Sequence, residues 1–168
     1  MVTTHIICNI THPDTQVAQV SALTAELEAA VLQPDDTLVL AGDFNAVPGS
    51  GLHDFLVSGH LGPEHPHARC RDTNIAPICM PDGYRHNLGL HSAYSTVMGT
   101  EPDFTNMTGG TAGAFRGTLD YIWHDSRLRP DFVLPLPTAA EASAEGGGLP
   151  NSQIPSDHVP LGATFTFC

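Results

Sequence analysis

Basic residues are scarce in this chain of 168 residues: six Lys and Arg face 18 Asp and Glu, a formal net charge of −12. A surface of that sign repels polyanions, so contact with nucleic acid cannot rest on a basic patch and phosphate chemistry would need cations. Charged residues of both signs amount to only 14% against 41% hydrophobic residues, which excludes a highly charged disordered tail. No stretch approaches the roughly 20 apolar residues of a membrane-spanning helix, so no membrane partner is expected. The opening Met1-Val2-Thr3-Thr4-His5 has neither the basic nor the apolar segment of a secretory signal. An intracellular chain is therefore expected, cytoplasmic with the nucleus as a second compartment. The four cysteines, Cys8, Cys70, Cys79 and Cys168, are scattered in a chain long enough to bury a core without staples, and free thiols are expected. The length suits one domain, or part of a larger one.

Residues 2–10, with Ile6, Ile7 and Ile10, form a β-branched run that predicts a strand. Val17, Val20, Leu23, Leu27, Ala30 and Val31 recur at spacings of three and four. They predict an amphipathic helix capped by Asp14 and closed before Pro34. The apolar run 37–41 is too short for a helix and predicts a buried strand. Strand, helix, strand predicts an α/β fold. A short helix is expected over 52–58, after the turn Pro48-Gly49-Ser50-Gly51. Residues 60–87 lack apolar periodicity and predict a surface loop. Strands are expected at 119–123, 132–136 and 159–167, and a mobile small-residue loop at 139–148. Gly109-Gly110-Thr111 lacks the Lys and Ser/Thr of a P-loop, and His65, His67, Cys70 and Cys79 match no closed zinc pattern.

The sharpest chemical feature is Gly42-Asp43-Phe44-Asn45 at the end of the buried strand. In extended chain Asp43 and Asn45 would project to the same side. The carboxylate could hold a hard cation or deprotonate water, and the carboxamide could donate to a phosphoryl oxygen without adding a repelling charge. The same tetrapeptide suits an Asx turn closing a strand. Ser156-Asp157-His158 precedes the last strand and could offer a metal ligand and a phosphate or base contact, although a polar turn has the same composition. Asp120 lies inside an apolar strand, where a carboxylate is costly unless it has a partner such as His158 or faces a cleft.

These clusters occur in one order along the chain: Gly42 to Ser50, Leu90-His91-Ser92-Ala93-Tyr94, Glu101 to Asn106, Phe115 to Ile122, and Ile154-Pro155-Ser156-Asp157-His158. Together they resemble the endonuclease/exonuclease/phosphatase superfamily, and within it the carbon catabolite repressor protein 4 type of deadenylase. The resemblance implies part of a deoxyribonuclease-I-like four-layer α/β sandwich. It also implies a Mg²⁺-dependent (Mn²⁺ as the substitute) 3′-exoribonuclease that releases 5′-AMP from the poly(A) 3′ end of RNA, within a deadenylase scaffold complex. Carried over by position, Asp43 is the acid/base and metal-site carboxylate, Asn45 orients the scissile phosphate, and Asp120 orients His158 or approaches the metal. Asp157 is a metal-site carboxylate, and His158 binds and polarises the phosphate. Phe115 falls where an aromatic stacks on the terminal adenine; by itself it would equally suit a core position. The Thr4-His5 pair makes His5 a phosphate-binding candidate ahead of His12, and Ile10 stands where the family places a loop proline against the adenine.

Members of the family have about twice this length of catalytic domain, so residues 1–168 are expected to be its C-terminal portion. The N-terminal half, which carries an Asn and the chief metal-binding Glu, would be absent. A sandwich cut there leaves apolar surface without its partner. Two other functions follow from the same residues: a nocturnin-like dinucleotide phosphatase or related phosphoesterase, and an inactive fragment that only binds RNA or protein.

Overall fold

The computed structural model describes residues 1–9, 11–33, 35–69, 80–109, 114–143 and 147–168. Its central element is a mixed four-stranded sheet, and the fold is α/β. Strand β1 (Val2–His5) runs parallel to β2 (Val39–Asp43). Strand β8 (Asp120–His124) lies antiparallel on the other side of β2 and carries the short β5 (His91–Ser92), giving the order β1-β2-β8-β5. Side chains alternate between the faces of such a sheet. Val2, Leu40, Tyr121 and Trp123 share one face and pack with helices α1 (Pro13–Glu26) and α2 (Gly51–Ser58) in the largest core cluster. At Gly42, φ is +149° and a Cβ would collide with the Thr4 carbonyl oxygen, so glycine is what lets β1 lie against β2 there.

On the opposite face Ile122 meets helix α3 (Ala93–Met98) and the hairpin of β9 (Leu128–Val133) with β10 (Ala163–Phe167), in a second cluster around Tyr94 and Val133. This face also carries His5, Asp43 and Asp120. The register sets His5 against Asp43 and Asp43 against Asp120, a row of three polar residues across β1, β2 and β8 at one end of the sheet. A third pairing, β6 (Asn106–Thr108) with β7 (Phe115–Gly117), stands beside that end.

Several expectations need correction. The first strand stops at His5, and Ile10 lies outside the described residues. Helix α1 begins at Pro13, whose fixed φ suits the first helical position, so Asp14 is buried in the first turn and does not cap. The helical pattern to Val31 ends as a π-helical turn over Leu27–Val31. Strand β2 sits two residues later than the apolar run, because the Leu38 N–H bonds the Asp125 carboxylate while the ladder to β8 begins at Val39.

The segment 60–87 is not merely a surface loop. Strands β3 (His60–Leu61) and β4 (Tyr84–Arg85) pair and seat Tyr84, fully buried, against Phe55; residues 70–79, with Cys70 and Cys79, lie outside the described residues. Helix α4 (Ala139–Ala142) replaces part of the expected mobile loop, held by a capping box between Thr138 and Glu141 with Ala142 buried. The strand expected at 132–136 lies earlier, at β9, and the one expected at 159–167 is shortened to β10, since Val159 bonds the Thr105 carbonyl instead of joining the hairpin.

Candidate functional site

At the end of the sheet that carries the polar row there is a cavity of about 530 Å³, a volume suited to a small ligand. His5, Asp43, Asn45, Phe115, Asp157 and His158 all line it. Asp120 lies behind His158, bonded to it at 2.7 Å between Oδ2 and Nδ1.

Asp43 enters from the last residue of β2. Its Oδ1 accepts the Asn45 backbone N–H at 2.8 Å, so the Asx turn is formed while Oδ2 still faces the two imidazoles. Its Oδ2 lies 3.4 Å from His5 Nε2 and 3.9 Å from His158 Nε2. Burial pushes the Asp43 pKa above the usual carboxylate range, and Asp120 adds to this; the Asn45 N–H and the two imidazoles offset it in part. His158 shows the opposite balance. Burial alone would lower its pKa, but the bond to Asp120 and the charges of Asp120, Asp43 and Asp157 outweigh it and raise the imidazole above its ordinary value. A carboxylate biased toward accepting a proton thus faces an imidazole biased toward keeping one.

Asn45 does not continue the strand. Its φ of 50° places it in the left-handed region, and its Nδ2 donates to the Ile6 carbonyl at 2.7 Å. The extended-chain argument for a shared side with Asp43 therefore fails; a turn brings the two to one cavity instead. Phe115 lies on β7 over Gly117, where a Cβ would sit 2.8 Å from the Phe115 ring, and Arg116 between them pairs with Asp103. His12 occupies the N-cap position of α1 without a side-chain capping bond and is not among the residues lining the cavity.

Among the described residues, one group has metal-ligating geometry: the donor atoms of Asp43, Asp120 and His158 lie within 4.8 Å of one another. Two carboxylates and one imidazole are a donor set for a hard divalent cation. Asp157, expected as the second metal-site carboxylate, is not in that group; it lines the same cavity, with its Oδ2 accepting from Asn106 Nδ2 at 3.2 Å.

Asn106 is one of three residues at or beside the cavity that the sequence does not single out. The others are the fully buried Thr105, which bonds Asp120, and Gln16, whose Nε2 ties the carbonyls of Ile7 and Asn45 together at 3.1 and 2.9 Å. Thr105 and Asn106 stood in the motif that carries the resemblance, without an individual signal. Gln16 looks like any polar position of an amphipathic helix.

The sequence model of the Endonuclease/Exonuclease/phosphatase family matches residues 3–158. The chain belongs to that family. Carbon catabolite repressor protein 4 homolog 4 of Arabidopsis thaliana is 34% identical over 170 residues, covering 96% of this chain and 36% of the relative. The CCR4-Not complex 3′-5′-exoribonuclease subunit Ccr4 of Coccidioides immitis is 35% identical over 130 residues, 77% of this chain and 16% of that protein. The chain thus spans about a third or less of these relatives. Among solved structures, ANGEL2, a 2′,3′-cyclic phosphatase in complex with adenosine-2′,3′-vanadate, superposes with a TM-score of 0.73 at 29% identity, over 97% of this chain and 55% of ANGEL2. The human Nocturnin catalytic domain gives 0.63 at 24% identity, over 99% of this chain and 46% of Nocturnin, a likeness of fold. The α/β class and the deoxyribonuclease-I-like architecture expected from the motifs are those of this endonuclease/exonuclease/phosphatase chain.

Proposed function

We propose that residues 1–168 are the C-terminal portion of a divalent-metal-dependent 3′-5′ exoribonuclease that hydrolyses poly(A) at its 3′ end and releases 5′-AMP. The observation that carries this reading is the Asp120–His158 bond beside Asp43 at the mouth of a cavity whose wall includes Phe115. It is supported by relatives named as Ccr4 exoribonuclease subunits. In this reading Asp43, whose pKa is raised, accepts the proton of the attacking water. His158 holds a phosphoryl oxygen through Nε2 while Asp120 steadies Nδ1, and Asn45 and His5 add donors to the same phosphate. Phe115 stacks on the terminal base. Asp43, with Asp157 or Asp120, would hold Mg²⁺ or Mn²⁺, which supplies positive charge against the phosphodiester that this acidic chain does not provide. By the same analogy the chain would work within a CCR4-Not type scaffold, in the cytoplasm and the nucleus.

A second phosphoester chemistry is favoured by one observation, the likeness to ANGEL2 with its bound adenosine-2′,3′-vanadate. The products separate the readings. With Mg²⁺, the chain is expected to shorten oligo(A) with release of AMP, and Asp43→Asn to reduce the rate by about 10²–10⁴-fold, the range for a general base. Asp43-dependent opening of a terminal 2′,3′-cyclic phosphate, or phosphate release from a phosphorylated dinucleotide, without AMP would move the assignment to a phosphatase. No turnover of any of these, with oligo(A) still bound, would leave a binding fragment.

A further inference from the structure

We propose that Gln16 is a positioning residue: it holds the peptide joining Asn45 to Ala46, and with it the left-handed turn that brings Asn45 and Asp43 to the cavity. Among the described residues Asn45 is the one non-glycine with a positive φ, 50°. A side chain makes that region unfavourable, for asparagine less than for most residues. Such a residue persists where the surrounding structure holds it there.

The turn is pinned peptide by peptide. The Phe44 N–H bonds the Leu119 carbonyl at 2.8 Å, and the Asn45 N–H bonds Asp43 Oδ1 at 2.8 Å. Further on, the Tyr121 hydroxyl donates to the Ala46 carbonyl at 2.7 Å. The plane between them, 45–46, has one hydrogen-bond partner among the described residues: Gln16 Nε2, 2.9 Å from the Asn45 carbonyl oxygen. Rotating that plane changes ψ of Asn45, so this bond is what fixes it.

Gln16 has little freedom of its own. It lies near the start of α1 and is 4% exposed. A side-chain amide has two N–H protons, and Nε2 also donates to the Ile7 carbonyl at 3.1 Å. The reversed amide would set Oε1 against two carbonyl oxygens, which fixes its orientation. Three residues on, Gln19 Oε1 accepts the Ile7 N–H at 3.1 Å, and Asn45 Nδ2 donates to the Ile6 carbonyl at 2.7 Å. Helix α1 thus grips at once the segment that follows His5 and the turn that follows Asp43, both of which lead into the cavity. Methionine at 16 keeps the length and the burial but removes both donors.

The effect on turnover rests on the proposed exoribonuclease reading, whereas the turn can be read without catalysis. A positive φ brings an amide proton close to its own α-proton, so ¹⁵N-labelled 1–168 is expected to show a strong intraresidue NOE at Asn45. The Gln16 Nε2 protons should exchange with solvent more slowly than those of an exposed glutamine. Gln16→Met should weaken the Asn45 NOE, with the amide spectrum away from residues 5–8 and 43–47 retained. Wild-type protein with a weak Asn45 NOE, or with Gln16 protons exchanging at the exposed rate, overturns the proposal even if Gln16→Met does not fold. So does a folded Gln16→Met protein that keeps the strong NOE. On oligo(A), Gln16→Met should lower kcat by about 10²-fold, the scale of a small misplacement of site groups, with KM little changed. A loss confined to KM would make Gln16 a substrate contact and end the positioning role. Failure of wild type to turn over would count against the exoribonuclease assignment, while the NOE would still decide the role of Gln16.

Discussion

Phe115 is 38% exposed, a large aromatic left open to solvent at the wall of the cavity. A core role would have covered it; the ring over Gly117 instead leaves an apolar face at the cavity, and on the proposed reading that face takes the terminal base. Base stacking on such a face contributes about 1–3 kcal/mol. Phe115→Ala is therefore expected to raise KM for oligo(A) by about 5- to 150-fold with little change in kcat. Steady-state kinetics on oligo(A) check this, and an unchanged KM would remove Phe115 from the substrate. At the same scale, Asp43 and His158 show why composition alone underdetermines a site. Each has its pKa raised, one chiefly by burial and the other by carboxylate neighbours that overcome burial.

Residues 84–88, between α2 and β5, are held to the core by His86. The ring is buried; Nε2 meets the Phe55 carbonyl at 3.1 Å, Nδ1 accepts Leu88 N at 3.3 Å, and the imidazole stands edge-on to Phe55. Burial lowers the His86 pKa, with the Phe55 carbonyl and Glu28 offsetting part of the effect. The unfolded imidazole, near about 6.5, thus binds a proton that the folded ring resists. The stability contributed by neutral His86 is present above about pH 6.5 and is lost as pH falls from there through the lower folded value. His158 has the opposite sign: its contribution is present below about 6.5 and fades as pH rises through its raised value. Urea unfolding at pH 7.5 and 5.5 should therefore show a smaller loss on acidification in His86→Gln than in wild type. Equal losses would mean that another group titrates.

At the scale of the molecule, the net charge of −12 and the acidic end of the sheet make divalent cations the natural counterweight to a phosphodiester. An ion that binds only the folded chain stabilises it by mass action, about 2.7 kcal/mol at 100 times Kd, or about 5–10 °C in Tm for a chain of this length. Calorimetry in EDTA and then in excess Mg²⁺ or Mn²⁺ should show that rise, largely abolished in Asp43→Asn; an equal rise in the variant would place the ion elsewhere. Among the described residues no helix is long and apolar enough to cross a membrane. Local pattern was enough to place the helix near Val17–Leu27 and the central strands and to single out Asp43, Asn45, Asp120 and His158 as candidates, because periodicity and unusual polar residues in apolar runs are properties of neighbours in sequence; their order along the chain and the family resemblance were needed to prefer a site over ordinary turns. Three things were decided only by tertiary structure: the row His5–Asp43–Asp120 across three strands, the left-handed turn that brings Asn45 to the cavity, and the bond from the buried Thr105 hydroxyl to Asp120. Each depends on which backbone groups from distant segments come within hydrogen-bonding reach, a distance that side-chain spacing along one strand does not contain.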